Sequence, residues 1–129
     1  MKATELRIDN LVYRRFKVVR VRHETLNNLQ IHPLIIGRLY QPIKITEEWL
    51  LSFGFEKREQ GVCNYFHIGT NPVTHDWLFD LVWLKECRNT DKYEGFPFYK
   101  NGRFVIKYVH QLQNLFFALT QEELKLPQL

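Results

Sequence analysis

Residues 103–120, RFVIKYVHQLQNLFFALT, constrain the fold more than any other stretch. They read as a strand over 103–108 that runs straight into a helix over 109–119. At ~100° per residue, Val109, Leu112, Leu115, Phe116 and Leu119 fall within one arc of about 120°, a stripe that faces a core. Phe117 disobeys this pattern. It points to the polar side, between Gln113 and His110, with Asn114 close by.

The strand has a strong pairing signal in front of it. Asn101-Gly102, between 96–99 and 104–108, calls for a tight hairpin with positive φ at both turn residues. That register pairs Tyr99 with Phe104 and Phe98 with Val105. After the helix, Thr120-Gln121-Glu122-Glu123 fits the capping-box pattern and predicts one further short turn.

The N-terminal third reads differently, as short strands. One is expected over 11–13 and a second over 17–22, with Val19 and Val21 on one side and Arg20 and Arg22 on the other. Phe16 and Val18 share the phase of the arginines, so a bulge or bend is expected near Val18-Val19. Asn27-Asn28 suits a turn, because Asn tolerates positive φ. Strands over 29–32 and 34–40 follow, interrupted by Pro33. Several short strands in forty residues imply a small, strongly bent, SH3-like β module.

A connector from Pro42 leads to a short helix over 47–53. Thr46 is a good N-cap, and Glu47 and Glu48 sit in the first turn, where the helix dipole favours negative charge. Trp49, Leu50 and Phe53 share its buried face. Gly54 is placed for the left-handed residue past the end, with Phe55 against Leu50. An antiparallel meander is expected next: 55–58, a turn at 59–61, a return over 62–68, and a break at Asn71-Pro72. In 77–84 both faces are apolar, so strand and helix both remain open; 85–95 is loop-like. The expected architecture is α+β: an SH3-like β module over 1–45, a linker helix, then over 46–129 an antiparallel meander packed against the C-terminal helix, in two domains or one continuous one.

Composition narrows the functional classes. The chain has 129 residues, 45% hydrophobic and 15% aromatic, enough for a core and unlike a disordered segment. No apolar run approaches a membrane span. The opening MKATELRIDN has early acidic residues and no apolar signal region, so an intracellular, cytoplasmic chain is expected. Cys63 and Cys87 lack a CxxC spacing and read as reduced, partly buried thiols, with a disulfide or functional thiol as the alternative.

The net charge of +4 is uneven. Residues 1–40 hold eight Lys/Arg against three acids, while the other 89 residues carry a net −1. Such asymmetry points to an anionic partner or to a solvated basic sheet face. Arg14, Arg15, Lys17, Arg20 and Arg22, with Tyr13 and Phe16 among them, suit phosphate tracking and base stacking.

Residues for catalysis are scarce. The one serine, Ser52, lies in the short helix without a Gly-x-Ser-x-Gly setting. Neither cysteine sits in a nucleophile signature. His23, His32, His67, His75 and His110 are scattered and lack metal-ligand spacing, apart from the weak His75-Asp76 pair. There is no P-loop and no Gly-x-Gly-x-x-Gly. Helix capping accounts for Glu47-Glu48 and Glu122-Glu123. No cofactor, metal or reaction is therefore expected. His110, Gln113, Asn114 and Phe117, an aromatic ringed by amides, form a candidate interface patch, unless another element of the chain covers Phe117.

The string 107–124, KYVHQLQNLFFALTQEEL, resembles a C-terminal signature in small uncharacterised proteins of Bacteroidetes genomes and their phages. ELRIDNLVY and ITEEWLLSFGF resemble that group's other two blocks. The group usually has Gly at the position of Asp9 and often at Gln121. The resemblance implies a phage or mobile-element setting, in the host-cell interior, and no reaction. The expected function is that of a non-enzymatic protein-interaction module, self-associating or partner-binding, that works through Phe117 and its neighbours. The alternative is binding of nucleic acid or an anionic nucleotide on the basic N-terminal module.

Overall fold

A computed structural model describes residues 5–31, 39–70, 77–84, 95–100 and 104–125. It is an α+β fold with two antiparallel sheets and a C-terminal helix. The chain divides into two compact units, Met1–Lys44 with Tyr108–Glu123, and Ile45–Lys107 with Leu124–Gln128.

The first unit is built on β1 (Leu11–Arg14), β2 (Lys17–Arg20) and β3 (Tyr40–Gln41), ordered β2-β1-β3. Leu6, Val12, Val21 and Tyr40 form a buried cluster, with Val19, Leu26 and Leu39 against it. The β1–β2 ladder is unbroken from Leu11↔Arg20 to Arg14↔Lys17. The expected bulge at Val18-Val19 is therefore absent. The bend falls instead at a two-residue turn, Arg15-Phe16, and this takes Phe16 out of the strand phase.

A second departure follows β2. Where an SH3-like run of strands was expected, with a turn at Asn27-Asn28, the chain forms helix α1 (His23–Ile31). The Thr25 hydroxyl accepts from the Arg22 N–H at 3.2 Å, and the Leu26 N–H donates to the Arg22 carbonyl at 3.1 Å. This start outweighs the modest helix penalty of two asparagines, about 0.7 kcal/mol each. Most of the strand expected over 34–40 lies outside the described residues.

The C-terminal helix α3 (Val109–Thr120) was expected with the second sheet but belongs to this first unit, where it packs on β1. The Gln111 side chain accepts from the Tyr108 N–H at 3.2 Å, and the Val109 N–H donates to the Ile43 carbonyl at 2.8 Å. Val109, Leu112 and Phe116 are buried as the stripe requires, but Leu119, at its far end, is 48% exposed. His110 and Gln113 are buried too, so the first half of the helix is enclosed beyond its apolar face. Among the described residues no further helical turn follows Thr120. Gln121 takes φ 61, and the Thr120 hydroxyl donates back to the Phe116 carbonyl at 2.7 Å. Asp9, at φ 70, is left-handed as well.

The second unit holds α2 (Glu47–Ser52) and the sheet β4 (Glu56–Gln60), β5 (Cys63–Thr70), β6 (Trp77–Leu84) and β7 (Phe98–Tyr99), in sequential order. The Thr46 hydroxyl accepts from the Trp49 N–H at 3.3 Å. The helix ends in a Schellman motif: Gly54 at φ 95 donates to the Leu51 carbonyl, and Phe55 to that of Leu50. Residues 77–84 are strand. β4 runs on through Gln60, so the turn is Gly61-Val62 rather than 59–61. The Asn101-Gly102 turn, Asn71-Pro72 and most of 85–95 lie outside the described residues. The pairing around the first of these is nonetheless that expected, with the Tyr99 N–H donating to the Phe104 carbonyl and Phe98 bridging Val105. Phe66, Phe79 and Leu81 are buried in the sheet, with Phe55 and Tyr99 packed on the Phe79 ring.

Candidate functional site

The β1–β2 hairpin carries four of the five residues proposed for anions, Arg22 lies just beyond it, and all five are exposed. Opposed residues of an antiparallel pair share a face, so Arg14 and Lys17 stand side by side with Val12 and Val19 behind them. Arg20 lies on the other face, and Arg22 follows just past the strand. Like charges opposed across a ladder destabilise it by a few tenths of a kcal/mol. Arg14 spends part of its charge on Tyr40, with its guanidinium carbon 5.8 Å from the ring centroid. Arg22 approaches Asp9 at only 4.0 Å, with both side chains at least half exposed, a separation that contributes little. Arg14, Val19, Arg20, Arg22, Glu24, Thr25 and Tyr40 line a groove of about 250 Å³. Three arginines against one carboxylate make it a cationic recess.

The tip of this hairpin is strained. Arg15 takes φ 47 and Phe16 φ 68, the two left-handed residues of a type I′ turn. Such turns favour Asn-Gly, because a Cβ in this region costs about 1–2 kcal/mol per residue. Phe16 is 99% exposed, so no packing within the chain offsets that cost.

The other proposed patch is differently placed. His110, Gln113, Asn114 and Phe117 do not form a free surface, because residues 5–11 of the same unit occupy them. The Gln113 side-chain oxygen accepts from the Leu11 N–H at 2.8 Å, and its amide nitrogen donates to the Asp9 carbonyl at 3.2 Å. Asn114 accepts from Arg7 Nε at 2.8 Å and Asn10 Nδ2 at 2.9 Å, and donates to the Glu5 carbonyl at 2.8 Å. The Arg7 guanidinium covers the Phe117 ring. The amides that ring Phe117 thus serve as hydrogen-bond partners for the N-terminal segment.

His110 is buried beside Glu5, with Nε2 3.7 Å from the carboxylate, and among the described residues neither ring nitrogen has a partner at hydrogen-bond distance. Burial lowers its pKa, and the Glu5 charge opposes that shift. In the second unit, Glu56, His67 and Asp80 form a row across β4, β5 and β6. Burial raises the Asp80 pKa, against the nearby charges of Lys100, His67 and Arg58. Periodicity drew no attention to this row, because its members come from three separate strands. Cys63 is a free, half-buried thiol. Among the described residues no group of three His, Cys, Asp or Glu side chains is placed to hold a metal, and no helix is long and apolar enough to cross a membrane.

No family model matches the chain, and no curated protein or solved structure proves similar to it.

Proposed function

We propose that this chain is a non-enzymatic binding protein that takes nucleic acid, or a nucleotide of similar charge, on the β1–β2 hairpin and its groove. One observation carries the reading. Arg14, Arg15, Lys17 and Arg20 on one hairpin, and Arg22 just past its second strand, are all solvent-exposed, and among the described residues they have only one weak carboxylate contact. Phosphates are the natural counter-charge for such an arrangement, and their binding releases counterions. A protein-interaction role through Phe117 has less support, because the ring and its neighbours are engaged within the chain. The resemblance to a phage-borne group is compatible with a nucleic-acid ligand and identifies none.

The test is a titration of labelled oligonucleotide at several salt concentrations. Binding should weaken steeply with salt. Arg20→Gln with Arg22→Gln should lower the log–log slope by about 0.7–0.9 for each phosphate that is no longer neutralised. Absent or salt-insensitive binding overturns the proposal.

A further inference from the structure

Resting on that reading of the hairpin, we infer that Phe16 is a base-stacking tip that makes the site prefer single-stranded over duplex nucleic acid. Exposure alone would carry nothing, since single apolar residues are common on surfaces. The backbone adds a second observation. Phe16 is held at φ 68 beside Arg15 at φ 47, a conformation that bulky residues avoid. Strain of this kind persists where the displayed group is used.

The surroundings fix the chemistry of the partner. Arg14, Arg15 and Lys17 flank the ring within one turn of the hairpin, so whatever covers it arrives with negative charge close by. An unpaired nucleotide meets both demands, with a flat π face for the ring and a phosphate for the cations. In a duplex the base faces are covered by their neighbours, and an inserted side chain has to unstack them first. Phosphate bound between Arg14 and Lys17 would also relieve the repulsion those two exert across the ladder.

The experiment uses the full chain, a labelled short oligothymidylate, the same strand annealed to oligoadenylate, and phosphatidylserine vesicles. Wild type should bind the single strand roughly tenfold or more tightly than the duplex, the range expected for one stacked base. Phe16→Ser should erase that preference and leave the salt slope unchanged, while Phe16→Trp keeps it. Thermal melting of each variant confirms that the fold is retained. Equal binding of strand and duplex by wild type overturns the inference, as does an unchanged preference in Phe16→Ser. In either case, salt-dependent binding weakened by Arg20→Gln leaves the nucleic-acid reading standing. Phe16-dependent capture by vesicles, with no oligonucleotide bound, ends both.

Discussion

Arg7 lies over Phe117, its guanidinium carbon 4.5 Å from the ring centroid. The same group donates to the two carboxylate oxygens of Glu123 at 2.7 and 3.3 Å, to Asn114 Oδ1 at 2.8 Å and to the Gln113 carbonyl at 3.2 Å. One side chain near the N-terminus therefore closes the polar side of α3 and answers its carboxylate neighbour. The planar fork is what allows stacking and bidentate bonding together. Arg7→Lys keeps the charge and gives up that geometry, so it should cost about 1–2 kcal/mol in chemical denaturation. A variant as stable as wild type would show that the bonds to Asn114 and Glu123 contribute nothing net.

Covered in this way, Phe117 makes a poor adhesive. Phe117→Ser should lower stability by about 1–2 kcal/mol, as truncating a half-buried aromatic ring does. It should leave the mass in light scattering unchanged from wild type. A drop from oligomer to monomer would instead restore the surface role first expected of this residue.

What the sequence disclosed and what it hid divide along the range of the interactions. The Thr46 cap, the Gly54-Phe55 helix end and the Tyr99–Phe104 pairing each depend on residues within a few positions, and all three were readable. The Arg15-Phe16 turn was not, because neither residue is one that such turns favour, and strand phase alone suggested a bulge. Helix α1 was missed because two asparagines resemble a turn until the Thr25–Arg22 hydrogen bond is known. The periodicity of α3 shows that Leu112 and Phe116 are buried but not that β1 lies against the helix. The anchors of Arg7 and Asn10 on Gln113, Asn114 and Glu123 span more than a hundred positions, and no spacing rule reaches them.

Gln113 replaces a strand partner. Its side-chain oxygen satisfies the buried Leu11 N–H at 2.8 Å. Gln113→Ala leaves that donor without its partner and should cost about 1–3 kcal/mol. Gln111→Ala removes a 3.2 Å bond to the Tyr108 N–H at the start of the same helix and should cost less, about 0.5–1 kcal/mol. Urea midpoints of the two variants give the comparison; equal destabilisation would deny Gln113 its special place.

Asp9 and Gln121 are both left-handed without being glycine, at φ 70 and 61. Gln121→Gly removes a Cβ from that region and sacrifices a long 3.3 Å bond from Nε2 to the Ala118 carbonyl. It should raise stability by about 0.5–1 kcal/mol. Asp9→Gly should do the same and also free Arg22 from its nearest carboxylate. Alone of the two, it should tighten oligonucleotide binding at low salt. Equal affinity in both variants would remove Arg22 from the binding face.

Acid should weaken the fold through His110. Its ring stacks on Tyr108 with centroids 5.8 Å apart and planes 6° from parallel, where hydration is reduced. Burial holds its pKa below the ordinary 6.5, despite Glu5 at 3.7 Å. As pH falls through 6.5, the unfolded chain therefore takes up a proton before the folded one does. The His110 contribution is complete above that pH and declines from there down to the folded-state pKa. Asp80 works in the opposite sense in a lower window. Its pKa is raised above 3.8, so the folded chain is protonated first and gains stability there as pH drops. Urea unfolding between about pH 7.5 and 5 should show stability falling with acidity, and His110→Gln should flatten that slope. The difference between the two proteins isolates this imidazole from the other histidines. Identical slopes, or stability that rises as pH falls through about 6, would mean that His110 is solvated well enough to accept a proton in place.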